Sequence, residues 1–267
     1  MAARETPASD IPEITDAERG VADLLPLGAD PGSARQVLAR VPLWFHTFAL
    51  NAEDGLYTPG VARDHRYRVP FLPASFEGQH VLDVGTFDGF YAYLAEHRGA
   101  ERVVAVDNEQ YVAWVKARWG IELEGGEGFR AIGEVLDSQV EYRRGDATAL
   151  TDTDERFDFI FCFGILHRVE NPLGLLRGLG GLLEPGGRIL VETYGVAGDG
   201  HLDQSTIEVK QDGEVYEGDD YVYWGFPAGG LAALGRLAGL PEVEVSTTTM
   251  VDGHPRILAT LRRPATL

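Results

Sequence analysis

Apolar runs of strand length alternate with segments of helical period through the middle of the chain. Residues 79–84, 102–106, 157–163 and 188–194 read as strands built on apolar runs, and a shorter strand is expected at 140–143. Between them, 87–96, 109–118 and 172–183 have helical character. Strands separated by helices predict an α/β fold whose parallel sheet is joined by right-handed crossovers. The helix over 172–183 stops at Glu184-Pro185-Gly186-Gly187, where proline cannot continue it and glycine accepts left-handed dihedrals. After Pro227 a helix of small residues is expected to about 239, and alternating runs at 242–249 and 256–262 flank a turn at 251–255. That pattern predicts an antiparallel terminal hairpin. Residues 33–40 read as a short helix, whereas 1–30, rich in Asp, Glu, Pro and Ala, read as a frayed arm. The expected organisation is an N-terminal arm and lid over 1–75 and one α/β domain over 76–267, interrupted by a polar insertion at 195–226.

Composition narrows the picture. A chain of 267 residues with 44% hydrophobic content suits one α/β unit of about 200 residues plus appendages. Its apolar stretches are strand-sized, shorter than the roughly 20 residues of a membrane span, so no membrane association is expected. Residues 1–10 show no leader pattern, and the lone cysteine, Cys162, has no partner for a disulfide, which together point to a cytoplasmic protein. The net charge of −19 repels polyanions, making nucleic acid an unfavoured partner. Arg63, Arg66 and Arg68 form the densest basic group and read as surface partners of carboxylates. The histidines at 46, 65, 80, 97, 167, 201 and 254 show no ligand spacing on one element, so no metal is expected.

Chemistry concentrates at the strand ends. Val81-Leu82-Asp83-Val84-Gly85-Thr86-Phe87-Asp88-Gly89 sets an acid near a strand end and glycines in the turn that opens a helix. Such a turn lets a ligand approach main-chain N–H groups at the positive end of the helix dipole. Dinucleotide folds need a middle glycine for the pyrophosphate, and here Phe87 fills that place, so a nucleoside without phosphates fits better. With 33 glycines in the chain, a purely structural turn fits this motif as well. The next strand ends at Asp107, followed by Asn108, where a carboxylate can accept both ribose hydroxyls. After the short strand, Asp146 could take an adenine amino group and the Ala147 region a ring nitrogen; alone, Asp146 reads as a turn residue. The fourth strand ends at Phe163-Gly164. Four strand ends thus converge on one crevice, where open α/β sheets bind ligands.

On these motifs the chain resembles the class I S-adenosylmethionine (SAM)-dependent methyltransferases over roughly 76–264. Gly164-Ile165-Leu166-His167-Arg168-Val169-Glu170-Asn171-Pro172 and the aromatic segment Tyr221-Val222-Tyr223-Trp224 are similar to segments in relatives of the wobble-uridine tRNA carboxymethyltransferase. The resemblance implies a Rossmann-like fold, a seven-stranded mostly parallel sheet with an antiparallel terminal hairpin and helices on both faces. It also implies SAM as cofactor, with Asp83, Gly85, Thr86, Phe87, Gly89, Asp107, Asn108, Asp146, Ala147 and Phe163 around it. Phe87 departs from the usual glycine and leaves the loop's path open.

Methyl transfer from SAM chiefly requires alignment and exclusion of water, and a base only where the acceptor must lose a proton. The resemblance places His167 in the active-site loop, which makes it the catalytic candidate, although a histidine there can equally cap a helix. Glu192 and Tyr194, at the fifth strand's end, and Trp44, His46, Tyr57, Tyr223 and Trp224 are acceptor-site candidates whose alternatives are strand-end surface and ordinary core. Between 199 and 220 the insertion carries Asp199, Asp203, Glu208, Asp212, Glu214, Glu217, Asp219 and Asp220 against Lys210. A rim of that sign suits a cationic acceptor such as an aminosugar, although acidic loops are commonly just solvated. The expected function is methylation of nitrogen or oxygen on a small molecule of secondary metabolism, with a gentamicin-type aminoglycoside N-methyltransferase, an enzyme of antibiotic biosynthesis, as its specific form. The alternatives are a tRNA uridine-modifying enzyme and a non-catalytic SAM-fold subunit; a nicotinamide oxidoreductase is disfavoured by Phe87. Oligomeric state is not legible.

Overall fold

The computed structural model describes residues 13–62, 65–147, 150, 154–196, 206–215, 219–251 and 253–265. The chain divides into two units, one of residues 1–77, 86–103 and 109–141, the other of 78–85, 104–108 and 142–267.

A seven-stranded sheet is the frame, ordered β10-β11-β7-β6-β3-β4-β5. Its strands are β3 (His80–Val84), β4 (Arg102–Asp107), β5 (Glu141–Arg144), β6 (Phe157–Phe163), β7 (Leu183–Tyr194), β10 (Glu242–Val251) and β11 (His254–Arg262). β3 pairs with β6 and β6 with β7 in parallel; β7–β11 and β11–β10 are antiparallel. The expected mostly parallel sheet with a terminal hairpin is therefore present. Chain order reverses between β6 and β3, which makes the carboxyl ends of these strands the topological switch point.

In the second unit, Leu82, Val84, Val104, Val106, Ile160, Ile189 and Val191 form a continuous core with the buried faces of α7 (Pro172–Gly181) and α8 (Ala228–Leu237). Each fully buried Leu, Ile or Val there contributes about 1.5–3 kcal/mol. The apolar runs of these strands owe their composition to that burial. Asn171 caps α7 by accepting from Gly174 N–H. The turn expected at 184–187 is an excursion inside β7: Leu183 pairs with Phe157, Gly186 takes φ +84°, and regular pairing resumes at Arg188. The insertion contributes β8 (Glu208–Val209) and β9 (Trp224–Gly225), an antiparallel pair.

The first unit holds α1 (Asp16–Ala22), α2 (Pro31–Arg40), the pair β1 (Ala49–Asn51) and β2 (Leu56–Tyr57), α3 (His65–Arg68), α4 (Phe90–His97), α5 (Tyr111–Trp119) and α6 (Glu127–Leu136). The stretch expected to fray is ordered from Thr15 onward, where a capping box with Glu18 starts α1, and Ala22 and Leu25 are fully buried. α2 begins two residues before the expected helix, with Asp30 accepting from Gly32 and Ser33 N–H. α6 was not expected. The glycines at its start and middle hide a good apolar stripe, in which Phe129, Ala131 and Ile132 are buried. Of the basic group, Arg68 is buried, its guanidinium 5.7 Å from the Tyr91 ring centroid; Arg63 lies outside the described residues.

Candidate functional site

Main-chain hydrogen bonds bring successive strand ends of the second unit into line. Gly85 N–H donates to Val106 O (2.8 Å), Gly145 N–H to Asp107 O (2.9 Å), and Gly164 N–H to Glu192 O (3.0 Å). Asp83, buried near the end of β3, stands opposite Phe161, and Phe163 stands opposite Glu192. Asp107 is buried at the last position of β4, and Asn108 beyond it is exposed. Asp146 is exposed and Ala147 half-buried after β5. Asp83, Gly85, Asp107, Asn108, Asp146, Ala147, Phe163 and Glu192 are therefore brought to one edge of the sheet.

Gly85 has φ +75°, and a Cβ there would lie 2.2 Å from Ile165 Cδ1. Only glycine is accommodated without rearrangement, and the main chain stays bare beside β4.

The loop residues Thr86, Phe87 and Gly89 belong to the first unit. The helix expected from 87 starts at Phe90, because Phe87 (φ +53°) and Gly89 (φ +85°) are left-handed. A left-handed backbone costs a non-glycine residue about 1–2 kcal/mol. Phe87 is held there by aromatic stacking on both sides, with ring centroids 4.0 Å from Phe45 and 3.8 Å from Tyr111. At about 0.5–1.5 kcal/mol each, two such pairs offset the strain. A side chain replaces glycine here because two rings sandwich it.

His167, in the 3-10 turn at Leu166–Arg168, is fully buried. Its Nδ1 accepts from Tyr194 N–H at 3.2 Å and lies 3.2 Å from Thr193 Oγ1. Nδ1 is thus engaged by the main chain, and the ring ties the turn after β6 to the end of β7. Glu192 is fully buried, 3.4 Å from Arg256 Nη1. Tyr194 packs with Val215 and Val222, with Arg256 and Lys210 5.7 and 5.9 Å from its ring centroid.

The insertion clasps the turn that holds His167. Tyr223 N–H donates to His167 O (2.9 Å), Trp224 Nε1–H to Val169 O (2.8 Å), and Arg168 pairs with fully buried Asp219 (2.7 Å). Burial, then the charges of Glu170, Asp212 and Asp219, push the Tyr223 hydroxyl above its usual range. Glu208 and Glu214 both pair with Lys210. Three of the five described carboxylates of the insertion thus face the protein's own cations, Lys210 and Arg168. Asp199, Asp203 and Glu217 lie outside the described residues.

In the first unit, Trp44 and His46 are buried, and His46 stacks on His65 at 4.9 Å. The Tyr57 hydroxyl donates to Asp23 (2.8 Å). Sequence reasoning missed Asp88, whose buried carboxylate accepts the N–H groups of Phe45 and His46. A short acid before a helix reads as a local cap, and nothing near it in sequence indicates partners over forty residues upstream.

A family model described as a methyltransferase domain matches residues 59–238. The tRNA U34 carboxymethyltransferase of Campylobacter hominis is 28% identical over 50% of this chain and 41% of its own length. The ubiquinone biosynthesis O-methyltransferase of Alkalilimnicola ehrlichii is 30% identical over 44% of this chain and 42% of its own. The chain thus spans less than half the length of these curated relatives. Among solved structures, the N-terminal domain of EvdMO1 with S-adenosylhomocysteine (SAH) bound superposes with a TM-score of 0.59 at 19% identity, covering 89% of this chain and 98% of that one. With its match to the family model and the Rossmann-like fold of class I methyltransferases, the chain belongs to the methyltransferase-domain family.

Proposed function

We propose that the protein is a SAM-dependent methyltransferase acting on nitrogen or oxygen of a small molecule. The observation that carries this reading is the alignment of strand ends at the switch point, with buried Asp107 closing β4 beside the bare main chain of Gly85. The donor set fits an adenosine: Asp107 offers two acceptor oxygens to a ribose diol, and Asp146 an acceptor to an adenine amino group. Phe87, filling the place of a pyrophosphate-binding glycine, fits a phosphate-free nucleoside better than a dinucleotide. Bound SAM supplies a methyl carbon already activated by its sulfonium charge. The chain's own residues then have to orient the acceptor and exclude water. Glu192, Tyr194, Tyr223 and Trp224 are the proposed acceptor contacts, and Tyr194 offers an apolar ring with a polar tip. His167 enters as a positioning ring that ties the turn after β6 to the end of β7. The SAH bound by EvdMO1 and the name of the Alkalilimnicola relative, a ubiquinone biosynthesis O-methyltransferase, support this reading.

A second reading, modification of a tRNA uridine, is favoured by the name of the Campylobacter relative and opposed by the net charge of −19. Incubation with methyl-labelled SAM, a panel of amines and hydroxylated small molecules, and bulk tRNA tests both. Label on a small molecule supports the first reading, salt-sensitive labelling of tRNA the second. SAM binding without transfer to any acceptor would point to a non-catalytic subunit.

A further inference from the structure

Residues 44–62 of the first unit are knit into one piece by their own hydrogen bonds. Val61 N–H donates to Trp44 O (3.0 Å) and Ala62 N–H to Phe45 O (2.8 Å). Thr58 bridges the middle, its hydroxyl donating to His46 O and accepting from Phe48 N–H, both at 2.7 Å. Gly60 packs so closely on His46 that a Cβ would lie 2.4 Å from its carbonyl carbon. A displacement of Phe45 or His46 therefore carries the whole segment.

That segment is fastened to the glycine loop through Asp88. A single oxygen of Asp88, Oδ2, accepts Phe45 N–H at 2.6 Å and His46 N–H at 2.9 Å. The other oxygen lies against the start of α6, where a Cβ on Gly128 would come within 2.3 Å of it. The carboxylate is 4% exposed. Its neighbour Phe87 joins the same segment through the stack on Phe45, and both flanking residues, Phe87 and Gly89, are left-handed, so the loop has one narrowly defined path. Hydrogen bonds to a charged acceptor are about twice as strong as neutral ones, and burial of the charge makes their loss costly.

We propose that Asp88 is a positioning residue that couples the glycine loop to residues 44–62, so that cofactor bound at the loop fixes that segment. This rests on the SAM reading above. The coupling works in both directions: a ligand that fixes the loop's path stabilises both Asp88 bonds, and a segment held by those bonds favours the loop geometry that takes the ligand.

Amide hydrogen exchange of the full chain, with and without SAH, tests it. In the wild type, SAH should slow exchange across 44–62, with Phe45 and His46 amides slowed about tenfold or more, the scale of a charged hydrogen bond. In Asp88→Ala the ratio of rates without and with SAH should fall to near one in this segment while the loop stays protected. A merely structural role would speed exchange equally in both states and leave the ratio at its wild-type value, which would overturn the proposal. Should Asp88→Ala fail to fold, Asp88→Asn keeps an acceptor oxygen without the charge. Its ratio should drop severalfold, and an unchanged ratio would again be contrary. If SAH binds the wild type calorimetrically without protecting 44–62, the coupling alone is wrong; if SAH does not bind, the cofactor reading fails and the coupling with it.

Discussion

The main-chain N–H of Tyr194 donates to Nδ1 of His167 across 3.2 Å, joining the turn after β6 to the last residue of β7. One backbone donor thereby holds the ring's orientation in the turn. The insertion holds the same turn from its other side through Tyr223 and Trp224. A histidine gripped in this way positions its surroundings more readily than it shuttles protons.

That role separates two substitutions. His167→Ala should lower turnover more than SAM affinity. His167→Asn, whose carboxamide oxygen can accept Tyr194 N–H in place of Nδ1, should recover most of it. If Asn is as poor as Ala while both bind SAM normally, the ring has a chemical role the oxygen cannot replace.

Asp107→Ala should weaken SAM binding by about 1–3 kcal/mol, the cost of leaving ribose hydroxyls unpaired. Asp107→Asn, which retains one acceptor, should fall between. Titration calorimetry of the two variants, both first shown to melt cooperatively, measures this; wild-type affinity in the alanine variant would remove Asp107 from the site.

Gly85→Ala meets two obstacles, a φ of +75° and Ile165 Cδ1 at 2.2 Å from the new methyl group. A loss of about 1–3 kcal/mol in denaturant unfolding is expected. Adding Ile165→Ala should relieve the clash but not the dihedral, so only partial recovery is predicted. Full recovery would mean the backbone conformation carries no cost.

Cys162 is fully buried, and burial, then the charges of Glu192 and Asp83, push its thiol from its ordinary value near 9 up to about 12. The native protein should therefore resist a thiol reagent at pH 8 and react on unfolding. An unfolded chain ionises this thiol above pH 9 while the native one does not, so its contribution to stability is full below 9 and declines as the pH rises towards 12. A rapid native reaction would contradict the burial.

The central strands of the sheet were legible because they are largely buried, and apolar runs such as 157–163 have no other economical use. The positions of Asp83 and Asp107 stood out for the opposite reason, as acids at or near the ends of such runs. What escaped depends on contacts distant in sequence. Phe87 looks like a flaw in a glycine loop until Phe45 and Tyr111 are seen on either side of it. Asp88 gave no signal because the N–H groups it accepts, those of Phe45 and His46, come from over forty residues upstream. The ion pairs of the acidic insertion were hidden where the partner lies outside it, as Arg168 does. α6 was hidden because its glycines broke the pattern that Phe129 and Ile132 maintain.

A crystal structure of the purified chain with SAH tests the central claim most directly. The account predicts the adenosine at the carboxyl ends of β3, β4 and β5, with both ribose hydroxyls on the Asp107 carboxylate. SAH found elsewhere, or a ribose that does not touch Asp107, would contradict it.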